Sequence, residues 1–226
     1  MRRRIILFIV ALVSMVSVAA QNDSVVDDDR VDTVSPVVGV ENYDTGGLIT
    51  HPDGGASGSD ESRLQTQLGL AIIGYDASVT SATRIADDFS VSGIWTLDYI
   101  KLYAYQLNAL TSGSATINAA TLRIWDGPPG AVGSTVIFGD TFSNRLLFAT
   151  WVDVFRTCEG FSGSCQPGST DRPVQALFLD VFDGNDALTL SPGTYWWDVQ
   201  LAGDVGLPVP RLVPLSAANA YVQGNA

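Results

Sequence analysis

Short strand-like segments, separated by clusters of Gly, Pro, Asn and Asp, constrain the fold of this chain most strongly. They are rich in branched and aromatic residues, and several alternate between apolar and polar positions, which is typical of strands. The segments are 68–75, 83–91, 94–106, 120–127, 134–140, 145–155, 174–184 and 193–201. Nothing in the chain keeps a helical 3.6-residue period over three turns, and a parallel α/β fold would need crossover helices. The sequence therefore predicts an all-β fold, a single antiparallel β-sandwich that is jelly-roll-like and spans residues 37–226.

The first twenty residues predict export. Arg2, Arg3 and Arg4 precede an apolar run that ends in small residues at Ala20, and this order is typical of a secretory signal peptide. Cleavage after Ala20, or after the preceding alanine, would release a secreted or cell-surface protein. The run is short for a membrane-spanning helix, and no second run of about twenty apolar residues follows. We therefore expect no membrane-spanning segment in the mature chain.

An acidic balance excludes nucleic-acid partners. The chain holds 12 basic and 24 acidic residues, for a formal charge of −12, and loss of the three signal-peptide arginines makes it −15. Such a chain repels phosphate backbones. Lys101 is the only lysine. Residues 21–36 are acidic with few large apolar side chains, which predicts a flexible leader.

The two cysteines predict a local disulfide. Cys158 and Cys165 flank a Gly/Ser loop, and an exported chain meets oxidising conditions. Such a crosslink would stabilise the fold by about 2–3 kcal/mol. His51 is the only histidine and no further cysteine exists, which argues against a thiolate zinc site.

Three stretches carry a resemblance: TRIADDFSVSGIWTLDYIKLYAYQ, ATLRIWDGPPG and LSPGTYWWDVQ. They resemble a group of secreted bacterial β-sandwich modules in which an ADDF strand precedes an LRIWDGPPG-type turn and a GTYWLD-type strand. The likeness covers most of residues 45–201. It implies an exported, surface-displayed module and supplies neither a substrate nor catalytic residues. Members often end in a C-terminal sorting or anchoring segment. The last residues here, LSAANAYVQGNA, are typical of the approach to a strand, and from this layout we expect a last strand or tail beyond residue 226.

Catalytic motifs are sparse, and the sequence predicts a protein that is not an enzyme. A serine or cysteine nucleophile needs a general-base histidine, and His51 alone is present, without a G-x-S-x-G elbow around any serine. A glycosidase with two carboxylates stays open as an alternative. Its candidate residues are Asp87, Asp88, Asp98, Asp153, Asp180 and Asp198.

Calcium is the one cofactor for which the sequence offers ligands. Asp183, Asn185 and Asp186 form a compact oxygen-rich segment, and Ca²⁺ takes six to eight oxygen ligands. The Gly-rich loop offers a second set, listed in chain order as Asp53, Asp60 and Glu61. The alternative for the first segment is a plain turn, in which the same residue types are expected.

Aromatic and polar side chains share a predicted face. Period-2 alternation places Trp196 with Asp198 on one face of segment 193–201, and Trp125 with Arg123 on one face of segment 120–127. These four residues form a candidate glycan-binding face. The alternative is structural, with the indole covering the sheet or stacking on Arg123.

The arginines in and beside strands have a structural interpretation. Arg84, Arg123, Arg145 and Arg156 are surrounded in sequence by aspartates, and cross-strand Arg–Asp pairs are their expected use.

Together these features predict an exported, non-catalytic β-sandwich module with a structural or adhesive role. A carbohydrate-binding module is the alternative, and a carboxylate-based glycan hydrolase is the third hypothesis. Glycans or surface proteins are the expected partners.

Overall fold

A computed structural model describes residues 47–66, 69–159, 163, 165–184 and 186–215. The predicted signal peptide, the acidic leader and residues 216–226 lie outside the described residues.

The described residues are almost entirely β-structure. They form strands β1 Asp60–Leu64, β2 Tyr75–Asp76, β3 Ile85–Val91, β4 Trp95–Leu97, β5 Tyr99–Tyr105, β6 Ile117–Trp125, β7 Val136–Gly139, β8 Leu146–Cys158, β9 Pro173–Asp180, β10 Phe182–Asp183, β11 Asp186–Leu190, β12 Gly193–Gly203 and β13 Arg211–Leu212. One 3₁₀ turn, Ala56–Gly58, precedes β1. The all-β prediction is confirmed. In the part of the chain that the structure describes, no helix is long and apolar enough to cross a membrane.

The strands form three sheets. The largest has the order β1-β8-β9-β5-β13-β2, the second β3-β12-β6-β7 and the smallest β10-β11-β4. We call them the six-stranded, four-stranded and three-stranded sheets. Strand β1 runs parallel to β8, so the prediction of a purely antiparallel fold is wrong at this edge. A long connection separates the two strands in sequence, which allows the parallel pairing that a tight hairpin forbids.

Side chains from the two larger sheets meet in one core. Trp197 and Val199 of β12, at 1% and 0% exposure, join the same buried cluster as Leu102 of β5 and Leu177 of β9. Fully burying an aliphatic or aromatic side chain of this size contributes about 1.5–3 kcal/mol. The core therefore fixes which side of each strand faces inward and which faces out.

Segment 94–106 is two strands and not one. Asp98 separates β4 from β5, and β4 pairs with β11 while β5 pairs with β9. The alternation shifts by one residue at the break, because Leu97 and Ile100 are both fully buried although they lie three positions apart. This shift marks the point at which the chain changes sheet.

The prediction of a strand over 68–75 is wrong for the described residues 69–75, among which only Tyr75 belongs to a strand, β2. The preceding loop lies beside β8, where the carbonyls of Ile72 and Ile73 accept hydrogen bonds from Arg156 at 3.5 and 2.9 Å. The Arg156 side chain therefore donates the hydrogen bonds that these two carbonyls would otherwise accept from a neighbouring strand.

The disulfide prediction is confirmed. Cys158 ends β8 and is bonded to Cys165, with their Cα atoms 5.2 Å apart, within the usual range for a disulfide. The backbone N–H of Gly168, just beyond this loop, donates to Glu61 Oε1 at 2.6 Å. The crosslinked loop is thus also tied to β1.

Candidate functional site

The four residues predicted to bind a ligand lie together on one face of the four-stranded sheet. Trp196 pairs directly with Trp125 across β12 and β6, and Asp198 pairs with Arg123. Trp197, between them in sequence, is buried in the core. The face that carries these four residues is called the outer face below.

Asp198 is the centre of a bonded network on the outer face. Arg84 donates from Nε to Oδ1 at 2.6 Å. Arg123 donates to Oδ2 from Nε at 2.9 Å and also from Nη2, and Trp125 Nε1 donates to the same oxygen at 3.2 Å. The residue is 2% exposed. Its carboxylate is therefore used to hold three neighbouring side chains in place.

Arg84 extends this network across the sheet. Its Nη1 donates to Thr121 Oγ1 at 2.8 Å, and its Nη2 donates to the backbone carbonyl of Asp198 at 3.0 Å. The pairing of Arg84 with an aspartate was predicted. That Arg84 and Arg123 share one carboxylate was not predicted.

The two indoles of the outer face differ in their surroundings. The guanidinium carbon of Arg123 lies 4.8 Å from the ring centroid of Trp125, a cation–π distance, so one face of that ring is covered. Trp196 is half-buried, and Asp88 of β3 lies directly across from it. Trp196 is therefore the indole that a ligand on this face would contact.

Asp88 was missed as a member of this face. It is exposed, and within the described residues its carboxylate makes no hydrogen bond or ion pair. Its backbone N–H donates to Asp87 Oδ1 at 3.0 Å. The pairing of β3 with β12 brings Asp88 to Trp196 from a distant part of the sequence, so only the sheet register reveals it.

A shallow pocket of about 310 Å³ lies at the β7 edge of the same sheet. Its lining includes Gly139, Asp140, Arg145 and Asp183. Gly139 pairs with Arg123 and has a positive φ of 75°, and a Cβ there would stand 2.1 Å from the carbonyl oxygen of Leu122. The sheet therefore requires glycine beside Arg123, which leaves no side chain at that position.

The first calcium segment is a hairpin in the structure. Asp183 and Asp186 face each other across the β10–β11 turn, and Asn185 lies outside the described residues. Both aspartates are exposed, as turn residues usually are. Among the described residues, no group of three or more His, Cys, Asp or Glu side chains converges as metal ligands would.

In the second candidate calcium set, the carboxylates of Asp60 and Glu61 already accept hydrogen bonds from the protein. Glu61 is fully buried on β1 and accepts from Arg63 Nε at 2.8 Å, and Asp60 Oδ1 accepts from the N–H of Asp53 at 2.8 Å. Glu61 was not expected on a strand. Its burial is offset by the ion pair with Arg63, whose side chain is 16% exposed.

A second aromatic surface lies on the six-stranded sheet. Phe178 stacks on Phe148 with centroids 4.3 Å apart, and it meets Tyr99 edge-on at 5.3 Å. Lys101 Nζ lies 5.6 Å from the Phe178 centroid and 5.1 Å from that of Tyr103. Phe148 is 46% exposed, so this sheet also carries an exposed aromatic patch.

Arg156 contradicts the predicted Arg–Asp pairing. It is 1% exposed, and besides the loop carbonyls it donates from Nη1 to Ser62 Oγ at 3.1 Å and to Ser62 O at 3.2 Å. Burial lowers the pKa of Arg156 to about 10. Backbone carbonyls and a hydroxyl accept the hydrogen bonds that a carboxylate was expected to accept. Arg156 therefore connects β8 to β1 and to the 69–74 loop.

The remaining arginine pair is as predicted. Arg145 lies 3.6 Å from Asp180, and its Nη1 donates to the carbonyl of Phe182 at 2.9 Å. Its guanidinium carbon lies 4.7 Å from the centroid of Phe138.

Comparison with known proteins adds no relative. No protein-family model matches the chain, and neither a curated protein nor a solved structure matches it. The site must therefore be interpreted from its own geometry.

Proposed function

We propose that this chain is an exported, non-catalytic adhesive module that holds saccharides on the outer face of the four-stranded sheet. One observation carries the proposal: a half-buried tryptophan, Trp196, stands between a second indole and an unbonded carboxylate, beside an arginine held in place by Asp198. Aromatic rings with a few well-placed polar groups are typical of ligand sites.

The network around Asp198 supports a binding role because it fixes the site before any ligand arrives. Arg123 donates hydrogen bonds to Asp198 from Nε and Nη2. Its Nη1 donates no hydrogen bond to any of the described residues. That nitrogen is left to donate to a sugar oxygen, and Asp88 is left to accept from a hydroxyl. Preorganised donors and acceptors reduce the entropy lost on binding.

Hydrolysis by paired carboxylates is less well supported by the same geometry. A glycosidase needs one carboxyl to reach the glycosidic oxygen and a second on the other side of the sugar. Asp198 is enclosed by three donors, and Asp180 accepts from the N–H of Phe182 at 2.9 Å and lies beside Arg145. Neither carboxylate is presented to a substrate.

For the architecture, a jelly-roll-like sandwich is the arrangement that we propose. It is supported by the core shared between the six-stranded and four-stranded sheets. For localisation, the Cys158–Cys165 disulfide supports secretion or surface display, because such crosslinks persist in oxidising compartments.

The test is a glycan array probed with the mature chain, with and without calcium, followed by titration of each hit. The Trp196→Ala variant is expected to lose binding by about five- to 150-fold, taking the roughly 1–3 kcal/mol that a base stacked on an aromatic side chain contributes as the scale for a stacked sugar ring. Trp151→Ala is the matched control. That indole lies on the six-stranded sheet, where its Nε1 donates to Gly113 O at 3.1 Å.

The outcomes separate clearly. Saccharide binding that Trp196→Ala abolishes and Trp151→Ala retains, with both variants folded, supports the proposal. A blank array with folded wild-type protein overturns it and leaves a purely structural module.

A further inference from the structure

The charge around Trp196 points to a particular class of saccharide. Asp88 lies directly opposite Trp196 on the neighbouring strand, and the Cβ atoms of such pairs are about 4.5–5.5 Å apart. A pyranose ring that stacks on the indole would therefore place one of its substituents at the Asp88 carboxylate.

Asp88 has no cation of its own in the described part of the chain. The other outer-face carboxylate, Asp198, is shared by Arg84 and Arg123. A neighbouring carboxylate, Asp126, is bonded instead to Thr135, whose N–H and hydroxyl both donate at 2.6 Å. Asp88 is thus the one acidic group beside Trp196 that is free to receive a positively charged substituent.

The wider charge of the chain acts in the same direction. Its formal charge is −12, and a field of this sign concentrates cations and repels anions near the surface. The extra positive charge of the Arg84–Asp198–Arg123 group opposes this locally. This charged group lies at the level of Asp198, however, two residues along β12 from Trp196. The side chains of Arg84 and Arg123 are only 18% and 23% exposed.

We infer that the saccharide bound at Trp196 carries free amino groups, as in a glucosamine polymer without acetyl groups, and that Asp88 pairs with the ammonium. This rests on the proposed saccharide-binding function and adds the ligand class. The indole contacts the apolar face of the ring, Asp88 accepts from the ammonium, and Arg123 Nη1 donates to a hydroxyl.

The test compares two hexasaccharides of glucosamine, one fully deacetylated and one fully acetylated, by calorimetric titration. The titrations are carried out at about pH 5.5, where the sugar amine is protonated. The deacetylated hexamer is expected to bind about three- to fivefold more tightly, as one exposed ion pair allows. The preference should shrink toward unity in about 1 M salt, where the screening length is about 3 Å.

Two variants assign the preference to a residue. Asp88→Asn should remove the preference, so that the two hexamers then bind with equal affinity. Asp153→Asn makes the same change in net charge on β8, where the residue is exposed with a φ of 52° that asparagine tolerates. This control should keep the preference.

Each outcome decides the matter. Equal binding of the two hexamers, or a preference that survives Asp88→Asn, overturns the inference and leaves saccharide binding intact. Tighter binding of a uronic-acid oligomer than of either hexamer also overturns it. If folded wild-type protein binds none of these sugars while the glycan array shows other hits, the amino-sugar assignment fails alone; a blank array removes the proposed function as well.

Discussion

Arg123 and Asp198 face each other across β6 and β12, and the guanidinium donates from two of its nitrogens to one carboxylate oxygen. Arg84 holds the other oxygen at 2.6 Å. A carboxylate that is 2% exposed and shared by two arginines links β6 and β12 to the residue that precedes β3. The same bonds give the outer face both its rigidity and its arrangement of side chains.

Asp198→Asn should destabilise the fold by about 2–4 kcal/mol, because removing one member of a largely buried ion pair leaves the other charges without compensation. Urea denaturation at neutral pH measures this as a lower midpoint with an unchanged slope. Asp88→Asn, at an exposed position, should change stability by less than about 0.5 kcal/mol. Equal effects of the two substitutions would show that the Asp198 network contributes little.

Substitution of the two adjacent tryptophans of β12, Trp196 and Trp197, should destabilise the fold by different amounts, because only Trp197 lies in the core. Trp197→Ala should cost about 3–5 kcal/mol, because the side chain is 1% exposed and its removal leaves a cavity. Trp196→Ala should cost roughly 1 kcal/mol, because its side chain is only half-buried and leaves no enclosed cavity. Thermal unfolding followed by near-ultraviolet circular dichroism compares them. A Trp196 variant as unstable as the Trp197 variant would place Trp196 in the core.

The alternation of β12 and β6 shows what local pattern predicts well. Side chains alternate between the faces of a strand, so one sequence is enough to place Trp196 and Asp198 together and Trp197 on the other side. The sequence does not show that β12 pairs with β6; the structure does. The four predicted residues lie together because the register of this pairing sets Trp196 opposite Trp125 and Asp198 opposite Arg123.

Long-range partners were beyond the reach of the sequence. Arg84 lies just before β3 and 114 residues from Asp198, so the pattern of segment 83–91 predicts an Arg–Asp pair but not which aspartate takes part. Arg156 is satisfied by loop carbonyls, which carry no side-chain signal at all. The two-residue strands β2 and β13 are too short for periodicity to identify. In each case the information lies in sheet register or loop path, which one sequence does not display.

Reduction of the Cys158–Cys165 disulfide should lower stability by about 2–3 kcal/mol, because the crosslink restricts the unfolded chain. The double variant Cys158→Ser with Cys165→Ser should match the reduced protein and should not respond to reductant. Urea unfolding with and without dithiothreitol measures both. An identical midpoint for the oxidised and reduced wild type would mean that the loop is held by other contacts, such as the bond from Gly168 to Glu61.

Acid should destabilise the fold in part through the turn that follows β7. The backbone N–H of Ser143, together with the N–H of Phe142 and the Ser143 hydroxyl, lowers the pKa of Asp140. A carboxyl whose pKa is lower in the folded than in the unfolded state stabilises the fold above the unfolded pKa, and that contribution is lost as the pH falls through the folded pKa. Unfolding free energy should therefore decrease from about pH 4 downward.

Asp140→Asn isolates this contribution, because the amide keeps an acceptor oxygen but cannot titrate. Its stability should be lower than that of the wild type at neutral pH, and the gap should narrow as the pH falls below about 4. Urea midpoints measured between about pH 7 and pH 2.5 give both curves. Asp183→Asn is the control, because it removes the same charge from another exposed turn, in the β10–β11 hairpin. A constant gap between Asp140→Asn and wild type at every pH would refute the assignment of the acid sensitivity to this turn.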